Sequence, residues 1–232
     1  MSDTVAVPQF HLYGEDAEEQ VFDFIHVEPL RRRARKHGWV IAPHSHRYLQ
    51  QIAVVGEGKG KVTIETGSTE FEGPTIIMLP PSVAHGFEFG PDIVGIIISF
   101  TDDVVRGKTG LRGGLQERLT YCQQALVIPN KDLEHEKRIA MIAKSMLAEQ
   151  NFGLDGIEIA LRSYLALLIV EIARIDFSDV EWRGVRPANK NDTINKLLQL
   201  IEDNFRETRP LSSYADFPHM TPARLNELRT RV

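Results

Sequence analysis

The 232-residue chain has a single cysteine, Cys122, and therefore no means of closing an intrachain disulfide. Packing and hydrogen bonding must hold the fold, as suits a reducing compartment. Long apolar runs are missing too: Tyr164 to Val170, the most hydrophobic stretch, is far too short to cross a bilayer. Met1-Ser2-Asp3-Thr4 lacks a basic segment leading into an apolar core, so no secretory signal is expected. Positive charge is not in excess either. With a net charge of −5, any contact with nucleic acid has to come from a local surface rather than from the field of the whole molecule. There is no internal repeat, phosphate-cradling glycine loop, nucleophile–His–acid triad or paired-carboxylate site. What remains is an ordinary globular composition, 42% hydrophobic and 25% charged. The expectation is a cytoplasmic protein without membrane contact, long enough for one large domain or two modest ones.

The pattern of the chain changes near residue 105. Before it, short apolar runs are punctuated by glycine and proline. Val21 to Val27 reads as a strand with Phe22, Phe24 and His26 on one face, and Ile52 to Val55 as a short buried strand. Val62, Ile64 and Thr66 alternate before Gly67-Ser68 turns the chain into Thr69 to Phe71. Ile76 to Leu79 stops at Pro80-Pro81, Phe87 and Phe89 alternate, and Ile93 to Phe100 closes the set. Arg31, Arg32 and Arg33 with Arg35 and Lys36 read as a solvated basic edge strand. Many short strands of this kind predict a β-sandwich or barrel over residues 1–105.

A glycine-rich connection follows over 106–132, and a helical region over 133–188. One helix is predicted from Leu133 to Gln150, with Ile139, Ile142, Ala143, Met146 and Leu147 in a stripe. A second, from Leu154 to Ile175, is apolar nearly all round, the pattern of a helix central to a bundle or buried between subunits. Within 189–232, a helix bearing Ile194, Leu197, Leu198, Ile201 and Phe205 precedes two short helices around the turn Phe217-Pro218-His219-Met220. Thr221 can cap the last helix, with Pro222 at its first position. Leu225 and Leu228 would face inward and Arg224, Asn226 and Arg229 outward, the layout of a helix-turn-helix. Seven Lys and Arg against six Asp and Glu from Asn189 onward leave this segment nearly neutral, so by itself it should hold DNA poorly.

Three histidines carry the chemistry. His44 and His46 lie two apart, which on a strand puts both imidazoles on one face, and His85 heads a later strand after Pro80-Pro81-Ser82. Two same-face histidines and a third from a neighbouring strand can converge inside a small barrel. Imidazole nitrogens suit Zn, Fe, Ni or Mn. Gln51, the next polar residue in reach, offers a neutral carbonyl oxygen and no charge, so any dication there would be held less tightly than by a carboxylate.

Gly38, His44, His46, Gln51 and Gly58 resemble the first motif of the cupin family, with Gln51 where that motif has Glu. Pro80 and His85 resemble the second, with Ser82 in place of its Gly and Phe89 in place of its Asn. Leu211, Ala215, Thr221 and Leu225 resemble the helix-turn-helix of AraC-type regulators, whose second such motif would lie beyond the end of this chain. Together these imply an α+β protein: a cupin-type sensor barrel, a helical region, and part of an AraC-type DNA-binding domain.

Pro8-Gln9-Phe10, Phe24-Ile25-His26, His37-Gly38-Trp39 and Pro43 through His46 are similar to sensors of aromatic acids, 4-hydroxybenzoate-responsive regulators among them. The resemblance implies a homodimeric transcription regulator answering a small effector. An aromatic acid needs an apolar slot and a polar anchor. Trp39, Tyr48, Phe87 and Phe89 are the candidates for the slot, and His44, His46, Gln51, His85 or Arg33 for the anchor. Thr221, Arg224, Asn226 and Arg229 are the candidates for DNA contact. No cofactor is required. A divalent transition metal on His44, His46, Gln51 and His85 is the one candidate, and it defines the alternative, a metal-dependent cupin dioxygenase or isomerase.

Overall fold

A computed structural model of the chain describes residues 9–10, 24–65, 67–101, 125–129 and 133–175. All of them belong to the first of two units, Met1–Arg186. The second, Pro187–Val232, lies outside the described residues, and with it the expected helix-turn-helix and Thr221, Arg224, Asn226 and Arg229.

Ten strands and three helices are described. The strands are β1 (Gln9–Phe10), β2 (Ile25–Pro29), β3 (Val40–His46), β4 (Leu49–Glu57), β5 (Lys59–Ile64), β6 (Gly67–Glu72), β7 (Thr75–Leu79), β8 (His85–Phe89), β9 (Val94–Thr101) and β10 (Leu126–Pro129). The helices are α1 (Leu30–Lys36), α2 (Leu133–Phe152) and α3 (Ile157–Arg174). One sheet has the order β1-β3-β8-β5-β6 and the other β10-β7-β4-β9-β2. Neighbouring strands are antiparallel except β1, which runs parallel to β3 at Ser45 and His46. The protein is thus α+β, a mostly β N-terminal domain followed by helices.

Two apolar cores explain the sequence pattern. Between the sheets lie Ile41, Ala53, Val55, Val62, Ile64, Ile77, Leu79, Phe87, Phe89 and Ile97. On the outer face of the second sheet, Ile52, Val54, Ile76, Met78, Ile96, Ile98 and Phe100 meet Ile139, Ile142, Met146, Leu165, Leu168 and Ile172 of the helices. That sheet is covered on both faces, so its central strands read as unbroken apolar runs rather than alternating ones. Among the described residues the first sheet is covered on one face only, and β6 accordingly alternates, with Phe71 buried between exposed Glu70 and Glu72. Among the described residues, no helix is long and apolar enough to cross a membrane.

Local readings are corrected in four places. The Arg31–Lys36 stretch is helix α1, not an edge strand. Leu30, Arg33 and Ala34 are buried while Arg32 is exposed, the i, i+3, i+4 spacing of a helix and not the alternation of a strand, and Arg, Ala and Lys are strong helix formers. The hairpin turn falls between Ile64 and Gly67, not at Gly67-Ser68. Glu65 takes the left-handed conformation there, φ 52°, as a two-residue hairpin loop requires. The second long helix begins at Ile157 rather than Leu154, because Gly153 and Gly156, at φ 60° and 86°, break the chain between α2 and α3. Finally, β10, from within the stretch 106–132 expected as a connection, pairs with β7 over Leu126–Pro129.

Candidate functional site

The inner face of β3 is set by a β-bulge. Ile41 pairs with Phe87 and His44 with His85, so three residues of β3 span two of β8. The extra residue turns His44 to the same side as Ile41, and Pro43 sits within the bulge, where a missing N–H does no harm. Gly86 allows the bulge to close in: a Cβ there would lie 2.9 Å from the Ile41 carbonyl oxygen and 3.1 Å from the Pro43 nitrogen. His46 follows two residues after His44 on the same face. From the opposite sheet, Gln51 points inward with Ala53 and Val55, paired in register with Ser99 of β9.

The resulting cluster is closed to solvent. His44, His46, Gln51 and His85 are each 1–2% exposed. Candidate ligand atoms of the three histidines all lie within 4.8 Å of one another. His44 Nε2 is 3.2 Å from His46 Nε2, and His85 Nε2 is 3.1 Å from Gln51 Oε1. Gln51 Nε2 donates to Ser99 Oγ at 3.0 Å. His44 and His85 each present Nδ1 to a backbone carbonyl at 2.9 Å, that of Ala42 and Val83 respectively.

Those carbonyls can only accept, so in both rings the proton sits on Nδ1 and the Nε2 lone pair faces the centre. Burial keeps the rings neutral: desolvation lowers the His44 pKa to about 4, and desolvation followed by the neighbouring His44 holds His85 well below the usual histidine value.

Two arrangements satisfy the inward lone pairs. A cation can accept them together with Gln51 Oε1, each imidazole being oriented by its carbonyl as metal-bound histidines are. Alternatively, His46 donates to His44 while the Gln51 amide reverses, its nitrogen donating to His85 and its oxygen accepting from Ser99. The cluster contains no carboxylate among the described residues, so a bound dication would keep its charge uncompensated.

Of the other expected site residues, Phe87 joins the cluster, its ring edge-on to His85 at 6.0 Å and stacked on Phe89 at 5.0 Å. Trp39 packs partly buried against the inter-sheet core. Tyr48 lies at the β3–β4 turn with the Arg47 guanidinium 5.3 Å over its ring. Arg33 is buried, but its Nε donates to Glu28, so this cation is already engaged. Ser99 was not anticipated. The only sequence signal for it is a polar residue interrupting the apolar run from Ile96 to Phe100. Gly86 was missed for a different reason, since its role is a close approach between strands distant in sequence.

Ser82 ties the two halves of the site together. Its N–H donates to the His46 carbonyl at 2.7 Å, and its φ of 64° lies in the region that favours glycine. An L-residue there costs about 1–2 kcal/mol, while glycine returns roughly 0.4–1 kcal/mol to the unfolded chain. Ser82→Gly is expected to raise Tm by about 1–3 °C. A fall in Tm measured by differential scanning calorimetry would mean that the hydroxyl, 3.5 Å from the Arg47 carbonyl, outweighs the strain.

Fold and site together define a two-sheet β domain with a buried polar cluster between the sheets and a helical layer on one of them. Residues 26–136 match the family model described as the AraC-like ligand binding domain. Similar solved structures include the AraC-like transcriptional activator CuxR, at 12% identity over 79% of this chain and 65% of that one, TM-score 0.41. Another is ToxT from Vibrio cholerae strain SCE256, at 13% identity over 90% and 73%, TM-score 0.40. A third is KdgF from Halomonas sp., at 26% identity over 26% of this chain, with TM-score 0.25; the match spans 56% of that protein. No curated protein matches the chain.

Proposed function

We propose that the chain is a ligand-responsive transcription regulator of the AraC type, whose barrel binds a small effector at the His44–His46–Gln51–His85 cluster. The observation that carries this is the family match over residues 26–136 coinciding with five polar side chains, Ser99 included, buried together between the sheets. Burying such groups costs stability that an inert core would avoid. The effector class is an aromatic acid, 4-hydroxybenzoate being the first to try, with Phe87 and Phe89 as the apolar wall. The imidazole centroids lie 4.4–5.4 Å apart, short of the roughly 7 Å a ring needs between two others. An aromatic effector therefore lies beside the triad, on the phenylalanine side, and takes its polar contacts from the imidazoles and Gln51.

Homodimerisation through the helical layer suits Met141, Phe152, Ile159 and Leu167, which stay exposed on α2 and α3. DNA contact falls to Thr221, Arg224, Asn226 and Arg229, and the protein acts in the cytoplasm. A second reading, a metal-dependent cupin dioxygenase or isomerase, is favoured by one observation, the convergence of ligand atoms from the three imidazoles, with Gln51 Oε1 3.1 Å from His85 Nε2. His44, His46, His85 and Gln51 would hold a Zn, Fe, Ni or Mn ion, which would supply Lewis-acid or redox chemistry.

A thermal-shift series on the purified protein separates the readings, using aromatic acids and divalent metal salts, each with and without EDTA. Stabilisation by an aromatic acid that survives EDTA, and is lost in His46→Ala, is the expected outcome; saturation at a hundred times Kd corresponds to about 2.7 kcal/mol. Stabilisation by a metal alone, with stoichiometric metal on elemental analysis, would transfer the assignment to the enzyme.

A further inference from the structure

Helix α1 carries more positive charge than its fold uses. Five of its seven residues are basic. Arg33 turns inward and pairs with Glu28, while Leu30 and Ala34 seal the helix against the sandwich. The remaining four, Arg31, Arg32, Arg35 and Lys36, are exposed. They sit at i, i+1, i+4 and i+5, which places all four on one side of the helix.

Their arrangement works against the helix. Arg31 above Arg35 and Arg32 above Lys36 are like-charge pairs at i, i+4, which destabilise. Arg31 and Arg32 also occupy the first turn, where the helix dipole disfavours cations and where no acidic residue is present. Among the described residues none of the four has an ion-pair partner; the pairs there are those of Glu28, Glu88, Glu134 and Glu171 with other cations. A chain of net charge −5 thus concentrates four uncompensated cations on one short ridge, three of them the fork-shaped guanidinium groups that grip phosphate oxygens in pairs.

We propose that this ridge is a phosphodiester-binding surface of the sensor domain, contacting the backbone of duplex DNA while the regulator is bound. The inference rests on the regulator reading and adds a DNA contact outside the C-terminal segment. The segment from Asn189 onward has seven basic against six acidic residues, too little charge to drive DNA affinity through counterion release. Four exposed cations on α1 exceed the net charge of that segment. Contacts of this kind position a protein on DNA without reading its sequence, so the ridge adds affinity and salt dependence but no base preference.

The experiment is a fluorescence-anisotropy titration of a labelled random-sequence DNA duplex with the whole chain, repeated across a salt series. It compares the wild type, a variant with Arg31, Arg32, Arg35 and Lys36 all changed to Gln, and one with the three arginines changed to Lys. Because all four side chains are exposed, the Lys variant should keep the wild-type Tm and the Gln variant should match or slightly exceed it; Tm is measured alongside. Neutralisation is expected to weaken binding at least tenfold near 0.1 M salt and to flatten the plot of log K against log salt by about 0.9 for each phosphate that is no longer neutralised. The lysine variant should keep most of the slope. Equal affinity and slope in wild type and Gln variant overturns the ridge but leaves the regulator reading standing. Absence of DNA binding by every form also overturns the ridge, whereas the regulator reading stands or falls on effector binding in the thermal-shift series. Binding to phosphatidylglycerol vesicles or polyglutamate, with no change in DNA affinity on neutralisation, assigns the ridge to another polyanion and also overturns the proposal.

Discussion

The metal-free protein is expected to lose stability between pH 7.5 and pH 5, about 2 kcal/mol of it through His44, with Tm falling by at least roughly 4–8 °C. The cause is the pair of buried neutral imidazoles, His44 and His85, whose folded pKa values are lowered by desolvation, that of His44 to about 4. In the unfolded chain both rings take up a proton near pH 6.5. Below that pH the unfolded state binds more protons than the folded one, so stability falls with pH. It is fully present above about 6.5 and drains away as pH drops toward the folded value, at up to about 1.4 kcal/mol per pH unit for each ring. The check is a Tm series in EDTA at four pH values for the wild type, His44→Gln and His85→Gln. Each variant should show a shallower dependence than the wild type, whatever its Tm at neutral pH. A wild-type Tm that is flat over this range, or variants with an unchanged slope, would show that the cluster accommodates protons inside the fold.

Leu168→Ala is expected to cost about 3–4 kcal/mol and to destabilise the sheets as much as the helices. Leu168 is fully buried in α3, in the core that joins both long helices to Ile52, Val54, Ile76, Met78, Ile96, Ile98 and Phe100. Detaching the helical layer would bare the outer face of the second sheet, so the two parts should unfold together. Trp39, packed against the other core, reports on the barrel once Trp182 is changed to Phe. Far-UV circular dichroism reports mainly on the helices. Both signals should move to the same lower midpoint in Leu168→Ala. A helical transition that moves while the Trp39 transition stays put would make the helices a separable layer and refute a shared core.

The helical layer has a feature of its own in Glu171, a buried carboxylate whose Oε1 accepts from Arg138 and Arg174, each at 2.6 Å. The all-round apolar reading of α3 passes over this residue. In the structure the glutamate fastens α2 to α3 at the end of the pair where α2 begins. The two arginines are exposed, while the other carboxylate oxygen, Oε2, lies 3.4 Å from His135 Nδ1.

Features that depend on neighbours a few residues apart were legible in the amino-acid order alone. The strand runs at Ile52–Val55 and Ile76–Leu79, the stripe of α2, and the spacing of His44, His46 and Gln51 all follow from local periodicity. The fold class follows from these together. Three further features join segments far apart in the chain, and it took the folded arrangement to settle them. The bulge that brings His44 onto the face of Ile41 exists because β8 pairs with β3, and no periodicity within β3 announces it. Arg33, expected as a ligand anchor, is neutralised by Glu28 because the stretch is a helix, and that depends on Leu30 and Ala34 finding a core to enter. Ser99 acquires a role only through its register with Gln51. A side chain's direction can be read from the sequence where the backbone repeats regularly; its partner is chosen by strand pairing, which acts across tens of residues and leaves no local trace.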